Sequence, residues 1–405
     1  MSLFDKFAKL AEARAALGAE GPSAIATPIE SVESASRGRI AGREVILAGT
    51  NNYLGLTFDP DVIAAGREAL ERLGSGTTGS RMANGSYAGH RALEAELAAA
   101  FGWPSAIVFS TGYQANLGTL SGLAGDGDYL LVDADSHASI YDGCRLSRAQ
   151  TVVFRHNDPD NLDRRLSRLG DRASNALVVV EGLYSMLGDQ PPLEEFVEVK
   201  KRHGAWLVVD EAHSFGVFGE RGLGLGEAAG LLDDIDFVVG TFSKSLAGIG
   251  GFCVSRHPEL ELLRLASRPY IFTASPSPAV IASTRVALDK VLQGQALRER
   301  LHRNIRRLYE GAEAMGYRLG SEQPGPVAAL ILPDRATALA HWQGLLEAGV
   351  YANLMIPPAT PAGLNLLRIS MSAAHSDEDV DRILAALQDM AAAMPSQAPS
   401  SAVSA

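Results

Sequence analysis

The chain has 405 residues, 46% of them apolar and 20% charged, enough to bury a core as one large domain or two. A net charge of −11, from 36 basic and 47 acidic residues, sets it against nucleic acid as a main partner. No run approaches the roughly 20 consecutive apolar residues that cross a bilayer, and MSLFDKFAKL lacks a signal peptide's apolar region, so a cytoplasmic location is expected.

Residues 1–20 place Leu3, Phe4, Phe7, Leu10, Ala11 and Leu17 at helical spacing among charges, which predicts a short amphipathic helix. Its polar face is not strongly basic, which favours a docking arm over weak peripheral membrane contact. From about 60 to 255, helical stretches alternate with short apolar runs: 106–110, 129–133, 151–154, 177–181, 206–210, 236–240 and 251–255. The runs are continuous rather than alternating in polarity, the pattern of a mostly parallel sheet covered on both faces. Helices are expected at 60–73, 89–101, 112–123, 158–168 and 191–202, with longer ones at 276–292 and 294–315. After about 295 the texture thins to strands at 327–333 and 366–370 and helices at 335–348 and 376–391, a smaller α+β domain. The expected division is an arm and connector over 1–45, a large α/β domain over 46–294, a small domain over 295–391 and a disordered tail over 392–405. Cys144 and Cys253 lie apart with no CxxC, which suits buried thiols and no metal site.

Ligands of open parallel sheets gather beyond the carboxyl ends of the strands, so the residues just after the apolar runs carry the chemistry. They are Thr111-Gly112-Tyr113, Ala134-Asp135-Ser136-His137, Gly182-Leu183-Tyr184-Ser185, Glu211-Ala212-His213 and Thr241-Phe242-Ser243-Lys244. Gly112-Tyr113 at a helix start offers backbone N–H groups to an anion. Asp210 ends a very apolar strand and needs a cationic partner. Lys244, just past a buried strand, suits imine chemistry. An amine, an acid, two imidazoles and a hydroxyl-lined anion cradle are the inventory for pyridoxal 5′-phosphate: Lys244 as the imine, Asp210 on the ring nitrogen, His137 against the ring, His213 on the ring hydroxyl, and Thr241, Ser243, Gly112 and Tyr113 on the phosphate. Arg221-Gly222-Leu223-Gly224-Leu225-Gly226 is not a dinucleotide loop, because no strand feeds it and its spacing is not GxGxxG. Gly248-Ile249-Gly250-Gly251 precedes a strand instead of following one.

Asn51-Asn52-Tyr53-Leu54-Gly55-Leu56, the Thr111-Gly112-Tyr113 turn, DADSHAS (133–139), EGLYSMLGD (181–189), VDEAHSFGVFG (209–219), GTFSKS (240–245), and PPATPAG with LLRIS (357–370) resemble the α-oxoamine synthase family. The resemblance runs from about 45 to 390. It implies the aspartate-aminotransferase fold (fold type I), a seven-stranded large domain, a homodimer with shared sites, and joining of an amino acid to an acyl thioester with loss of carbon dioxide. It further implies catalytic roles for Lys244, His137 and Asp210, and places His213 and Ser185 near the ring hydroxyl. Thr241 would contact phosphate, joined by Thr273 of the neighbouring subunit. The amino-acid substrate falls to Asn52, His137 and Arg368.

STGYQANLG (110–118), DADSHASIYDGC (133–144) and RPYIFTAS (268–275) are most similar to the members that join L-serine to a long-chain acyl-CoA, palmitoyl-CoA, giving 3-oxosphinganine, the first step of sphingolipid synthesis. The alternative is a member using glycine or alanine with another acyl-CoA or an acyl-carrier-protein donor. Two positions depart from the serine-using pattern: Ile356 stands where an arginine usually precedes PPATPAG, and Asn51 where a tyrosine is usual. Pro357, Pro358, Pro361 and Gly363 are expected to form a lid over the acyl chain or a rigid connector.

Overall fold

Seven strands make the central sheet: β1 (Ser105–Phe109), β2 (Tyr129–Asp133), β3 (Gln150–Phe154), β4 (Ala176–Glu181), β5 (Trp206–Asp210), β6 (Phe237–Thr241) and β7 (Gly251–Ser255). The computed structural model describes residues 3–8, 11–12, 27–357 and 360–392. The strand order is β1-β7-β6-β5-β4-β2-β3. β7 runs antiparallel to both its neighbours, and the other six point one way. Crossover helices make this possible, because a parallel return needs a connection long enough to recross the sheet. Gly112–Leu123 joins β1 to β2, Ala138–Leu146 joins β2 to β3, Pro159–Ser167 joins β3 to β4, and Leu193–His203 joins β4 to β5.

The runs are wholly apolar because both faces are covered. Ile107, Leu130, Val132, Val179, Val208, Val239 and Cys253 pack with Ala115 and Leu120 of the first crossover helix in one buried cluster. Each fully buried Val or Leu side chain contributes about 1.5–3 kcal/mol. β3 departs from the expectation of a run buried on both faces: it is the edge strand, and Gln150, Thr151 and Val153 are exposed. Cys144 and Cys253 are buried free thiols, and burial pushes them up to about 11 and about 12.

The chain gathers into two units. The larger holds 51–303 with 372–374, and the smaller holds the described parts of 1–50, 304–371 and 375–405. These limits differ from the division expected above. Residues 31–47 are not a connector: Arg37–Ile40 and Arg43–Leu47 form a hairpin, and Val350–Tyr351 adds in parallel to the second strand, with Val350 opposite Ile46. A strand buried along Val45, Ile46 and Leu47 takes its partner from wherever the chain supplies one. The smaller unit also carries an antiparallel sheet of Arg318–Leu319, Val327–Leu332, Asn365–Ser370 and Asn353–Met355, with helices Arg335–Glu347 and Asp377–Ala392. The helix expected over 1–20 is described only as a 3-10 turn at Asp5–Phe7 and three helical residues beyond it, Ala8, Ala11 and Glu12, and the tail expected over 392–405 lies outside the described residues apart from Ala392. Pro358, one of the four lid residues, is also outside them.

Candidate active site

Asp210, the last residue of β5, is buried. Its Oδ2 accepts from Asn116 Nδ2 at 2.7 Å and its Oδ1 from the Ala212 backbone N–H at 2.9 Å. Asn116 reaches it from the buried face of helix Gly112–Leu123, and gives its other amide proton to Ser139 Oγ at 2.9 Å. Two donors leave the carboxylate lone pairs for a third.

His137 caps helix Ala138–Leu146, and the Ser139 backbone N–H donates to its Nδ1 at 3.2 Å. A backbone N–H can only donate, so Nδ1 is an acceptor and the neutral ring carries its proton on Nε2. The His137 backbone N–H donates to Glu181 Oε1, which ends β4. The imidazole lines the cavity. Desolvation lowers the His137 pKa; the Lys244 charge lowers it further and Asp210 opposes both. Glu181 is pushed well above the carboxylate range by burial and by the charge of Asp210. His213 is buried, with Nδ1 2.7 Å from the hydroxyl of Tyr53, and that hydroxyl also lies 3.3 Å from Asn51 Oδ1.

The anion cradle is built by close approach. A Cβ on Gly112 would lie 2.7 Å from Thr241 Cβ, so only glycine lets the start of the helix sit against β6. Thr241 Oγ1 is 2.8 Å from Ser243 Oγ and accepts from the Ser243 backbone N–H at 3.3 Å. Thr111 caps the helix by accepting from Gln114 N at 3.1 Å, leaving the first N–H groups free of intrahelical partners. Lys244 rides the tight turn between β6 and β7, closed by Ala247 N to Lys244 O at 3.0 Å and Gly248 N to Phe242 O at 2.8 Å. It is half-buried, and its charge acts on both His137 and Glu181.

Gly112, Tyr113, His137, Asp210, His213, Thr241, Ser243 and Lys244 thus line one cavity of about 300 Å³, with Asn116, Ser139 and Glu181. Ser185, Asn52 and Thr273 are not in its lining. Asn52 is buried and donates to Thr57 Oγ1 at 2.8 Å, while Thr273 accepts from Gln114 Nε2 of its own chain at 3.2 Å. Arg368 is buried in the smaller unit, opposite Ala329 and Asn353 in its sheet. A larger cavity of about 860 Å³ opens between helices Pro60–Leu73, Ala88–Phe101 and Pro278–Leu292, but it holds no comparable set, and its Arg285 is paired to Glu96.

Sequence reasoning passed over Asn116, Ser139, Glu181 and Tyr53. The available signal was a buried amide on the apolar face of a helix and a buried acid closing an apolar strand, each of which demands a polar partner.

The donor set fits a phosphorylated pyridine aldehyde. A half-buried amine, a buried acid with two donors on it, an excess of buried carboxylate that a ring N–H would offset, and a glycine-tight helix start beside two hydroxyls meet in one space. Fold and cavity together define a pyridoxal-phosphate enzyme of fold type I. Residues 43–387 match the family described as Aminotransferase class I and II. A serine palmitoyltransferase of Caulobacter vibrioides is 53% identical over 394 residues, 97% of either chain. A solved serine palmitoyltransferase carrying pyridoxal phosphate superposes with a TM-score of 0.94 at 50% identity, over 97% of this chain and 99% of the other. An 8-amino-7-oxononanoate synthase of Geobacter sulfurreducens is 40% identical over 85% of this chain and 88% of its own. The chain belongs to the aminotransferase class I and II family, and within it is an α-oxoamine synthase.

Proposed function

We propose that this chain condenses L-serine with palmitoyl-CoA, releasing CoA and carbon dioxide and giving 3-oxosphinganine. The observation that carries the reading is the meeting of Lys244, Asp210 and His137 in one cavity with the Gly112–Thr241 cradle. The greater identity to serine palmitoyltransferase than to the 8-amino-7-oxononanoate synthase favours serine over the other amino acids.

Pyridoxal phosphate, when bound, supplies an electron sink for the pair left at Cα of the amino acid. Lys244 would hold the cofactor covalently, and its freed Nζ would take the Cα proton. Asp210, oriented by Asn116 and Ala212, would hold the proton on the ring nitrogen. Thr241, Ser243 and the backbone of Gly112 and Tyr113 would bind the phosphate, and Ser185 and His213 would sit by the ring hydroxyl. Tyr53 orients His213 through its hydroxyl, 2.7 Å from Nδ1. His137 would stack on the ring, its Nε2–H serving the substrate carboxylate with Arg368 and Asn52. In the reaction the Cα–H and thioester C–S bonds break as the Cα–acyl bond forms, and the CoA thiolate leaves and takes a proton. The Cα–carboxylate bond then breaks to release carbon dioxide, and a proton returns to Cα in its place.

Ile249, Leu262, Leu265 and Phe272 are exposed, and Thr273 follows Phe272 directly. A second copy covering these side chains would bring a Thr273 to its neighbour's phosphate site, so the working unit is read as a homodimer. Among the described residues no helix is long and apolar enough to cross a membrane.

The test is the visible spectrum of the purified protein titrated separately with L-serine, glycine and L-alanine, then palmitoyl-CoA with thiol release. A band shift with serine and thiol release on adding palmitoyl-CoA support the reading. A response to glycine or alanine alone replaces the amino acid and turns attention to Asn51 and Ile356.

A further inference from the structure

His156 follows edge strand β3 and lines no part of the cofactor cavity. Its Nδ1 lies 2.7 Å from Asp133 Oδ1 and its Nε2 lies 2.7 Å from Asp189 Oδ2, with Asp135 Oδ2 at 3.9 Å. Carboxylates accept, so a carboxylate on each ring nitrogen calls for a proton on each, and the ring is an imidazolium. The edge of the Tyr184 or His156 ring meets the face of the other at 4.6 Å and 90°. Asn157 doubles the link: its backbone N–H donates to Asp133 Oδ2 at 2.9 Å and its Nδ2 to Asp189 Oδ2 at 2.8 Å. It does so at φ 50°, a left-handed backbone that asparagine tolerates better than most residues.

The two loops tied together are the ones that carry site residues. Asp133 ends β2 and holds the turn into His137, through Asp135 N to Asp133 Oδ1 at 2.9 Å and Ser136 N to Asp133 O at 3.2 Å. Asp189 closes the loop after β4, where Tyr184 N donates to Asp189 O at 2.9 Å and Gly188 N to Tyr184 O at 2.9 Å, with Ser185 between them. On the cavity side the same loops meet through the His137 backbone N–H on Glu181. We propose that His156 is a positioning residue for the reaction: as a bridging imidazolium it clamps the loop bearing His137 to the loop bearing Ser185, and so sets the imidazole over the cofactor ring. The inference rests on the reading of His137 given above. A shift of about 1 Å in such a group costs roughly a hundredfold in rate.

The test is the holoenzyme with His156→Gln, which keeps one donor and loses the charge, beside Asp189→Asn and His137→Ala. Each is measured for kcat and KM of L-serine, for KM of palmitoyl-CoA, for the visible band on adding serine, and for melting temperature. Ring ¹⁵N shifts at pH 8.5 report the His156 proton directly. The expected result is an imidazolium signal from His156. His156→Gln should then raise the KM for serine roughly tenfold and lower kcat about as much, and blunt the serine-induced band, with the KM for palmitoyl-CoA unchanged. Asp189→Asn should move the same quantities less, because its amide oxygen still accepts. A variant that melts lower but keeps its serine constants and band overturns the proposal, as does a neutral ring at pH 8.5. If His137→Ala also leaves serine binding and the band untouched, the reading of His137 falls; if it moves them and His156→Gln does not, only the clamp falls.

Discussion

His137 and His156 stand on either side of β3 in the chain and end in opposite charge states. Burial works against the cation at both. At His137 the Nδ1 meets the Ser139 hydroxyl at 2.7 Å and accepts from the Ser139 backbone N–H at 3.2 Å, Lys244 adds its own positive charge, and the pKa falls. At His156, Asp133 and Asp189 overcome burial and raise the pKa to about 10. Burial is common to the two regions, so it is the list of partners that makes one imidazole a neutral cavity wall and the other a charged tie.

The largest effect that would test the cavity side is Lys244→Ala. Turnover should fall by roughly 10⁴-fold, and the lysine-type visible band should vanish; its survival would remove Lys244 from the mechanism. Asp210→Asn should cost roughly 10²–10³-fold in kcat with the band retained, measured under saturating serine. Gly112→Ala tests the cradle alone: the new Cβ would press on Thr241 at 2.7 Å, and the dissociation constant for pyridoxal phosphate should rise about tenfold, read by fluorescence of the apoenzyme during reconstitution. Asn116→Ala strips one donor from Asp210 Oδ2, and a destabilisation of about 1–3 kcal/mol is expected in urea unfolding.

The clamp side is read as pH dependence. The folded-state pKa of His156 is raised, so its contribution is fully present below the ordinary value of about 6.5 and is lost as pH rises through about 10. Asp133, Asp135, Asp189 and Tyr184 are the titratable groups around it. Unfolding free energy should decline between pH 7 and 10 by on the order of 3 kcal/mol in the parent chain, and less in His156→Gln. An equal decline in both would assign the pH dependence to other groups.

The large domain was legible because its signals are local. Continuous Val, Leu and Ile runs mark strands covered on both faces, and the residue after each run falls at the ligand-binding edge whatever the strand order. Eight of the residues foreseen for cofactor binding line the cavity for this reason. β3 was misjudged because Thr-Val-Val-Phe reads the same in an edge strand as in a central one; only the absence of a neighbour beyond it exposes Val153. The smaller unit was harder, since Val350 pairing with Ile46 depends on segments far apart in the chain, with nothing local to announce it.

Alone, the amino-acid sequence determined the alternation of strand and helix, the lysine, acid and imidazoles that pyridoxal chemistry needs, and through their ordered motifs the family. Tertiary structure decided what each group touches. Asn116 on Asp210, Tyr53 on His213, and His156 between Asp133 and Asp189 are contacts across loops and strands, made by burial and hydrogen bonding between distant segments. Charge state follows from those contacts, because the same imidazole is neutral beside an N–H and a lysine and cationic between two carboxylates.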